Sequence, residues 1–160
     1  ADGNDLEARY HMSFASLFGM MSYTQGGGLY AHSMSYILTI DSGVPHGLGC
    51  GLALPYTFMF NLDNVAPILM KMAPLAGVDA SGNPKEVGRK VAARFKKLVS
   101  DVGIPSSLKE LGVPEKEVER FASDMVAKYY RVNNPRPMNS EEGLALVKSM
   151  WEGNLTEIKG

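Results

Sequence analysis

Two histidines, His32 and His46, stand with thirteen residues between them in a stretch, Gly26 to Asn61, that is almost free of charge. Between Arg9 and Asp63 the only formal charge is Asp41. So apolar a run belongs in a core or an interface. An imidazole placed there needs a partner, because an unsatisfied buried polar group costs about 1–3 kcal/mol. Hydrogen bonds would satisfy the pair, and so would a divalent metal, for which neutral imidazole is a common ligand. Spacing alone leaves both open.

The neighbouring candidates carry weaker chemistry. His11 lies beside Tyr10 close to charged residues and reads as a boundary residue. Cys50, set between Gly49 and Gly51, reads as a small buried packing residue, with a reactive thiol as the alternative. Glycines 26 to 28 lack the preceding strand and the G-x-G-x-x-G pattern of a dinucleotide loop. They read instead as a helix break that allows close backbone approach.

The elements that must position these residues are helical throughout. From Asp5 to about Thr24, Leu6, Tyr10, Phe14, Leu17, Phe18 and Met21 recur at spacings of three and four, the stripe of an amphipathic helix, with Asn4 or Asp2 as its cap. Leu29 to about Thr39 forms the next helix and puts His32 and Tyr36 on one face. Asp41 to Pro45 reads as a loop, and His46 opens a helix through to about Leu62. Gly47, Gly49 and Gly51 within it point to close helix packing.

Val65 to Leu75 is a short helix closed by Gly77, and Lys85 to Val102 is a clear amphipathic one. Its basic face reads as solvated. One turn of helix is expected over Ser106 to Leu111, then a helix opening at Pro114, where proline and the acidic Glu115 and Glu117 suit a first turn. A polar loop, Asn133 to Pro137, precedes a final helix that starts at Asn139 with Glu142 as a capping box and buries Leu144, Val147, Met150 and Trp151. With no period-2 strand pattern of useful length, the fold class is all-α, a multi-helix bundle of six to eight helices.

The whole chain is 160 residues, one domain's worth, with a net charge of −1 and a single cysteine. That charge gives no reason to bind nucleic acid or an anionic membrane. The lone cysteine excludes an internal disulfide framework and suits a reducing cytoplasm. No stretch approaches the ~20 apolar residues of a membrane span. Lacking an initiator methionine and a signal-peptide pattern, the chain is expected to be a piece of something longer.

Read as a set, the motifs are more specific. Asp5-Leu-Glu-Ala-Arg9, Met12, Ala15-Ser16, Gly28-x-x-x-His32, Pro45-His46-Gly47, Leu54-Pro55 and Phe60-Asn61 follow in order, then Gly103-Ile-Pro-x-x-Leu108, Leu111-Gly112 and Asn134-Pro-Arg136. This series resembles the C-terminal half of the iron-containing (group III) alcohol dehydrogenases and covers essentially the whole chain.

The resemblance implies a two-domain enzyme: an N-terminal α/β half that binds NAD or NADP, absent here, and a helical half that supplies part of a divalent metal site in the cleft between them. One aspartate and three histidines hold the metal in that family, and the two later histidines map onto His32 and His46. Iron follows from the family name, since imidazole and carboxylate suit Fe2+ and Zn2+ about equally. Many members carry a further histidine one turn after the first of these ligands; here Tyr36 stands there as the catalytic candidate, able to hydrogen-bond a substrate but a poor base near pH 7. The implied partners are a small alcohol or aldehyde substrate, the missing domain and a second copy of the chain, with self-association expected through the Gly26 to Asn61 surface. A zinc-using relative of the dehydroquinate synthase or glycerol dehydrogenase type, and a non-catalytic helical scaffold that keeps only the fold, are the alternatives.

Overall fold

The structure, a computed structural model, describes residues 2–159. Among them are seven α-helices and no strand: α1 (Leu6–Gly26), α2 (Tyr30–Ser42), α3 (His46–Phe60), α4 (Leu62–Met72), α5 (Pro84–Asp101), α6 (Val118–Ala127) and α7 (Ser140–Glu152). Short 3-10 turns occupy Pro74–Ala76 and Glu115–Glu117. The all-α expectation therefore holds. No described helix is long and apolar enough to cross a membrane.

The nearly uncharged stretch forms the centre. α2 and α3 fold back on one another, and α3 also runs against α5 and α7. One core, with Tyr30, Met34, Leu38, Leu52, Tyr56, Phe121 and Met150 buried in it, joins α2, α3, α6 and α7. A smaller one built from Leu62, Leu69, Val87 and Val91 joins α4 to α5. Gly49 is what lets α3 approach α2: a Cβ there would lie 2.7 Å from the Ser35 Oγ and 3.0 Å from its Cα. Gly51 would meet Ile104 at 3.4 Å, whereas Gly47 faces open space, so only part of the glycine series serves packing.

Asp41, the lone charge of the stretch, ties α2 to α6 through Arg120 at 2.6 Å. A second polar link closes the far end of α3. Asn61 and Asn134 exchange side-chain hydrogen bonds at 3.2 and 2.7 Å, and Asn134 also donates to the Arg136 carbonyl at 2.7 Å. The Arg136 guanidinium donates to the Phe60 carbonyl at 3.0 Å, lies 4.4 Å from the Phe60 ring centroid, and pairs with Glu142 on α7. Glu142 is also half of the expected capping box with Asn139.

Several expectations change. The Asp5 side chain caps α1, accepting from the Ala8 N–H at 3.0 Å, in place of Asn4 or Asp2. The helix continues through Gln25 and Gly26 and breaks at Gly27, whose φ of 70° suits glycine. Asp41 and Ser42 remain in α2, and a helix break at Asn61 separates α3 from α4. Ser106 to Leu111 forms turns, not helix, because Glu110 captures the Ser106 N–H at 2.8 Å and Leu108 donates to the Met150 carbonyl at 2.9 Å. Leu144 is on the open side of α7 and stays 38% exposed.

The largest difference is α1. Its apolar stripe exists, yet no residue of the helix is buried. Leu6, Tyr10, Leu17, Phe18 and Met21 all stand in solvent, whereas within Gly26 to Asn61 only Ile40 does so among the large apolar side chains. Among the described residues, the longest run of exposed apolar side chains therefore lies on α1 and not in the central stretch.

Candidate metal centre

His32 lies in the first turn of α2 and His46 opens α3, so packing α2 on α3 brings their rings to 5.3 Å between centroids. Ser35, one turn from His32 and fully buried, constrains the tautomer of His46. Its Oγ lies 2.6 Å from the His46 carbonyl oxygen and 2.7 Å from His46 Nδ1. A carbonyl oxygen cannot donate, so the single hydroxyl proton must fill the shorter contact, and Nδ1–H must then donate to Oγ. In the neutral ring Nε2 then carries the lone pair, the form a metal ion requires.

That lone pair faces Cys50, the residue one turn along α3, whose Sγ is 3.6 Å away. The donor atoms of His32, His46 and Cys50 all lie within 4.8 Å of one another, an arrangement able to hold a metal ion. Burial first, then repulsion from His46 when that ring is protonated and from Arg131, hold His32 below its ordinary value of 6.5, which favours its neutral form at pH 7. Burial pushes the Cys50 thiol up.

Around the pair stands an aromatic and cationic wall. The Tyr36 ring lies 5.0 Å from that of His46 and stacks on Tyr129 at 6.0 Å. Arg131 sits 5.2 Å from the Tyr36 ring centroid, held there by its Nε–H, which donates to the Ser33 Oγ at 3.1 Å. Ser33 in turn donates to the Tyr129 carbonyl at 2.6 Å. Tyr23, near the end of α1, covers His32 at 5.0 Å; the adjacent Tyr36 hydroxyl, as hydrogen-bond partner and second phenol, holds the Tyr23 phenol above its ordinary value.

His32 and Cys50 open into a cleft of about 680 Å³ whose walls include Leu29, Leu54, Phe58, Val65 and Ile68. Another concavity of about 550 Å³, bounded by Met72, Leu75, Phe95 and Leu98, holds no histidine, cysteine or carboxylate. Thus His32, His46 and Tyr36 come together, while His11 stays apart on exposed α1, 4.0 Å from Glu7. Cys50 and Arg131 escaped the sequence reading as parts of this cluster. The i, i+4 spacing of His46 and Cys50 was a usable signal for the first; nothing local points to the second.

Residues 1–151 match the model of the Fe-containing alcohol dehydrogenase family, C-terminal. The chain belongs to this family. It is 29% identical over 150 residues to a 1,3-propanediol dehydrogenase of Klebsiella pneumoniae, a match that covers 93% of this chain and 39% of the relative. Among solved structures it superposes on an alcohol dehydrogenase from Oenococcus oeni with a TM-score of 0.88 at 26% identity, covering 94% of this chain and 40% of that one. A 1,3-propanediol oxidoreductase structure gives 0.86 at 29% identity, with 93% and 39% covered. The chain thus corresponds to about two-fifths of these iron-type alcohol dehydrogenases, their all-helical C-terminal region.

Proposed function

We propose that His32 and His46 are two ligands of a divalent metal in an NAD(P)-dependent alcohol or aldehyde oxidoreductase. This chain is then a single helical metal-binding domain, and the other ligands and most of the dinucleotide site come from the remainder of the longer protein. The bare Nε2 of His46, within 4.8 Å of a donor atom of His32 at an apolar cleft, carries this reading. Family membership supports it, as do relatives named for alcohol oxidation. Fe2+ is the metal the family description favours, and Zn2+ suits the same imidazoles.

Bound there, the metal would act as a Lewis acid on the oxygen of the alcohol or aldehyde while nicotinamide accepts or donates the hydride. The chain's own residues prepare the site. Ser35 keeps the proton of His46 on Nδ1, and burial favours the neutral form of His32. Leu54, Phe58 and Val65 give the cleft an apolar wall. Tyr36, braced by Tyr129 and Arg131, orients the substrate through its hydroxyl, because a phenol is a poor base near neutrality. The bare stripe of α1 is the surface on which the rest of the longer protein packs, and through which the chain alone self-associates.

The deciding experiment uses the intact longer protein: metal content of His32→Ala and His46→Ala variants, measured beside NAD(P)H oxidation and formation over a panel of small alcohols and aldehydes. Both variants should lose metal and turnover together. Unchanged metal content in both would defeat the assignment.

A further inference from the structure

We propose that Cys50 is a third metal ligand, so that this chain on its own holds a thiophilic divalent ion on His32, His46 and Cys50. The inference rests on the two histidines being ligands, and adds a site of different character to that reading. Its basis is geometric. His46 and Cys50 are one turn apart on the same face of α3, with Sγ 3.6 Å from the bare Nε2. Zinc bonds of ~2.1 Å to nitrogen and ~2.3 Å to sulfur at a tetrahedral angle put the two donors about 3.6 Å apart. The thiol therefore already stands at the separation a shared ion requires.

The surroundings agree with that role. His32 and Cys50 line the same cleft, and all three donor atoms fall within 4.8 Å of each other, so a small side-chain rotation closes the set on one ion. Gly49 admits the close approach of α2 that delivers His32, and Ser35 holds the His46 ring in the required tautomer. On binding, the Cys50 S–H proton is released to solvent and the thiolate takes its place on the ion. A thiolate is a soft ligand and favours zinc over iron, and three protein ligands leave a fourth position facing the cleft. A Cys50 ligand would therefore shift the preference of the histidine pair toward zinc.

Cobalt(II) is the probe, because thiolate ligation gives it a near-ultraviolet charge-transfer absorption that imidazole ligation does not. The 160-residue chain, stripped with a chelator and checked for fold by circular dichroism, is titrated with Co2+, then with competing Zn2+, alongside Cys50→Ser and Cys50→Ala variants checked in the same way. The expected result is visible cobalt bands with thiolate charge transfer in the parent chain, displaced by Zn2+. Both variants should lose the charge transfer and bind cobalt more weakly by more than the ~10- to 100-fold typical of losing an outer-shell partner. Because Cys50 is the only cysteine, its alkylation followed by mass spectrometry gives an independent readout, and Zn2+ should slow it. Cobalt bands without charge transfer in the parent chain overturn the role of Cys50 and leave the two histidines as ligands. Absence of any cobalt absorption overturns the three-ligand site, and the histidine reading is then decided by metal content of the longer protein.

Discussion

Ser35 holds His46 twice, donating its hydroxyl proton to the backbone carbonyl at 2.6 Å and accepting from the ring Nδ1–H at 2.7 Å. One buried side chain on α2 thereby fixes both the start of α3 and the tautomer of the residue that opens it. Few single contacts in the fold couple packing to chemistry so directly.

Ser35→Ala removes both bonds while leaving His46 in place. The ring can then exchange tautomers, and metal affinity should fall ~10- to 100-fold, the usual cost of losing an outer-shell partner. Equilibrium metal titration of parent and variant measures this directly. Equal affinities would mean that Ser35 serves only the backbone.

Gly49 and Gly47 make a matched pair on α3. Alanine at Gly49 drives a Cβ to 3.0 Å from the Ser35 backbone, a contact that must push α2 and α3 apart. Overpacking of this kind costs about 1–3 kcal/mol, against a gain of up to about 1 kcal/mol from helix propensity. Gly49→Ala should therefore lower the melting temperature. At Gly47 nothing lies within 4 Å, so Gly47→Ala keeps the propensity gain and should be neutral or stabilising. Thermal unfolding of the two variants side by side tests the difference.

Arg136 and Glu142 form an ion pair whose side chains are 12% and 13% exposed. Removing the carboxylate leaves a guanidinium desolvated beside Phe60, and breaking a buried pair costs about 3–5 kcal/mol, so Glu142→Gln should be strongly destabilising. Burial raises the Glu142 carboxyl, but the Asn139 N–H and then Arg136 outweigh it, leaving the group below its ordinary value of 4.5. A carboxyl that is lower in the folded chain contributes stability that is complete above the unfolded value and lost as the pH falls through the folded one. Denaturant unfolding should show stability declining as the pH drops below 4.5, and a shallower decline in Glu142→Gln.

Much of this was legible in the chain. The 3.6-residue period of Val87, Val91, Phe95 and Val99 marks α5, and Asn139 with Glu142 marks the start of α7, because caps and stripes are local events. The motif order pointed to the family that residues 1–151 match. Ser106 to Leu111 misled, since its local signals are helical while its hydrogen bonds go to Glu110 and to the end of α7. The stripe of α1 misled in another way: amphipathic spacing states that a face is apolar, not that anything in this chain covers it.

By itself the sequence determined the helices, the shared face of His32 and Tyr36, and the isolation of Asp41 in an uncharged run, because each follows from spacing along one segment. Only the tertiary structure decided that His32 meets His46 and Cys50, that Ser35 leaves Nε2 of His46 bare, and that Arg131 stands over Tyr36. These relations depend on how closely α2 and α3 approach and on where the segment after α6 crosses them. That distance is set by packing around Gly49 and the surrounding core, a property of several segments at once that no single segment encodes.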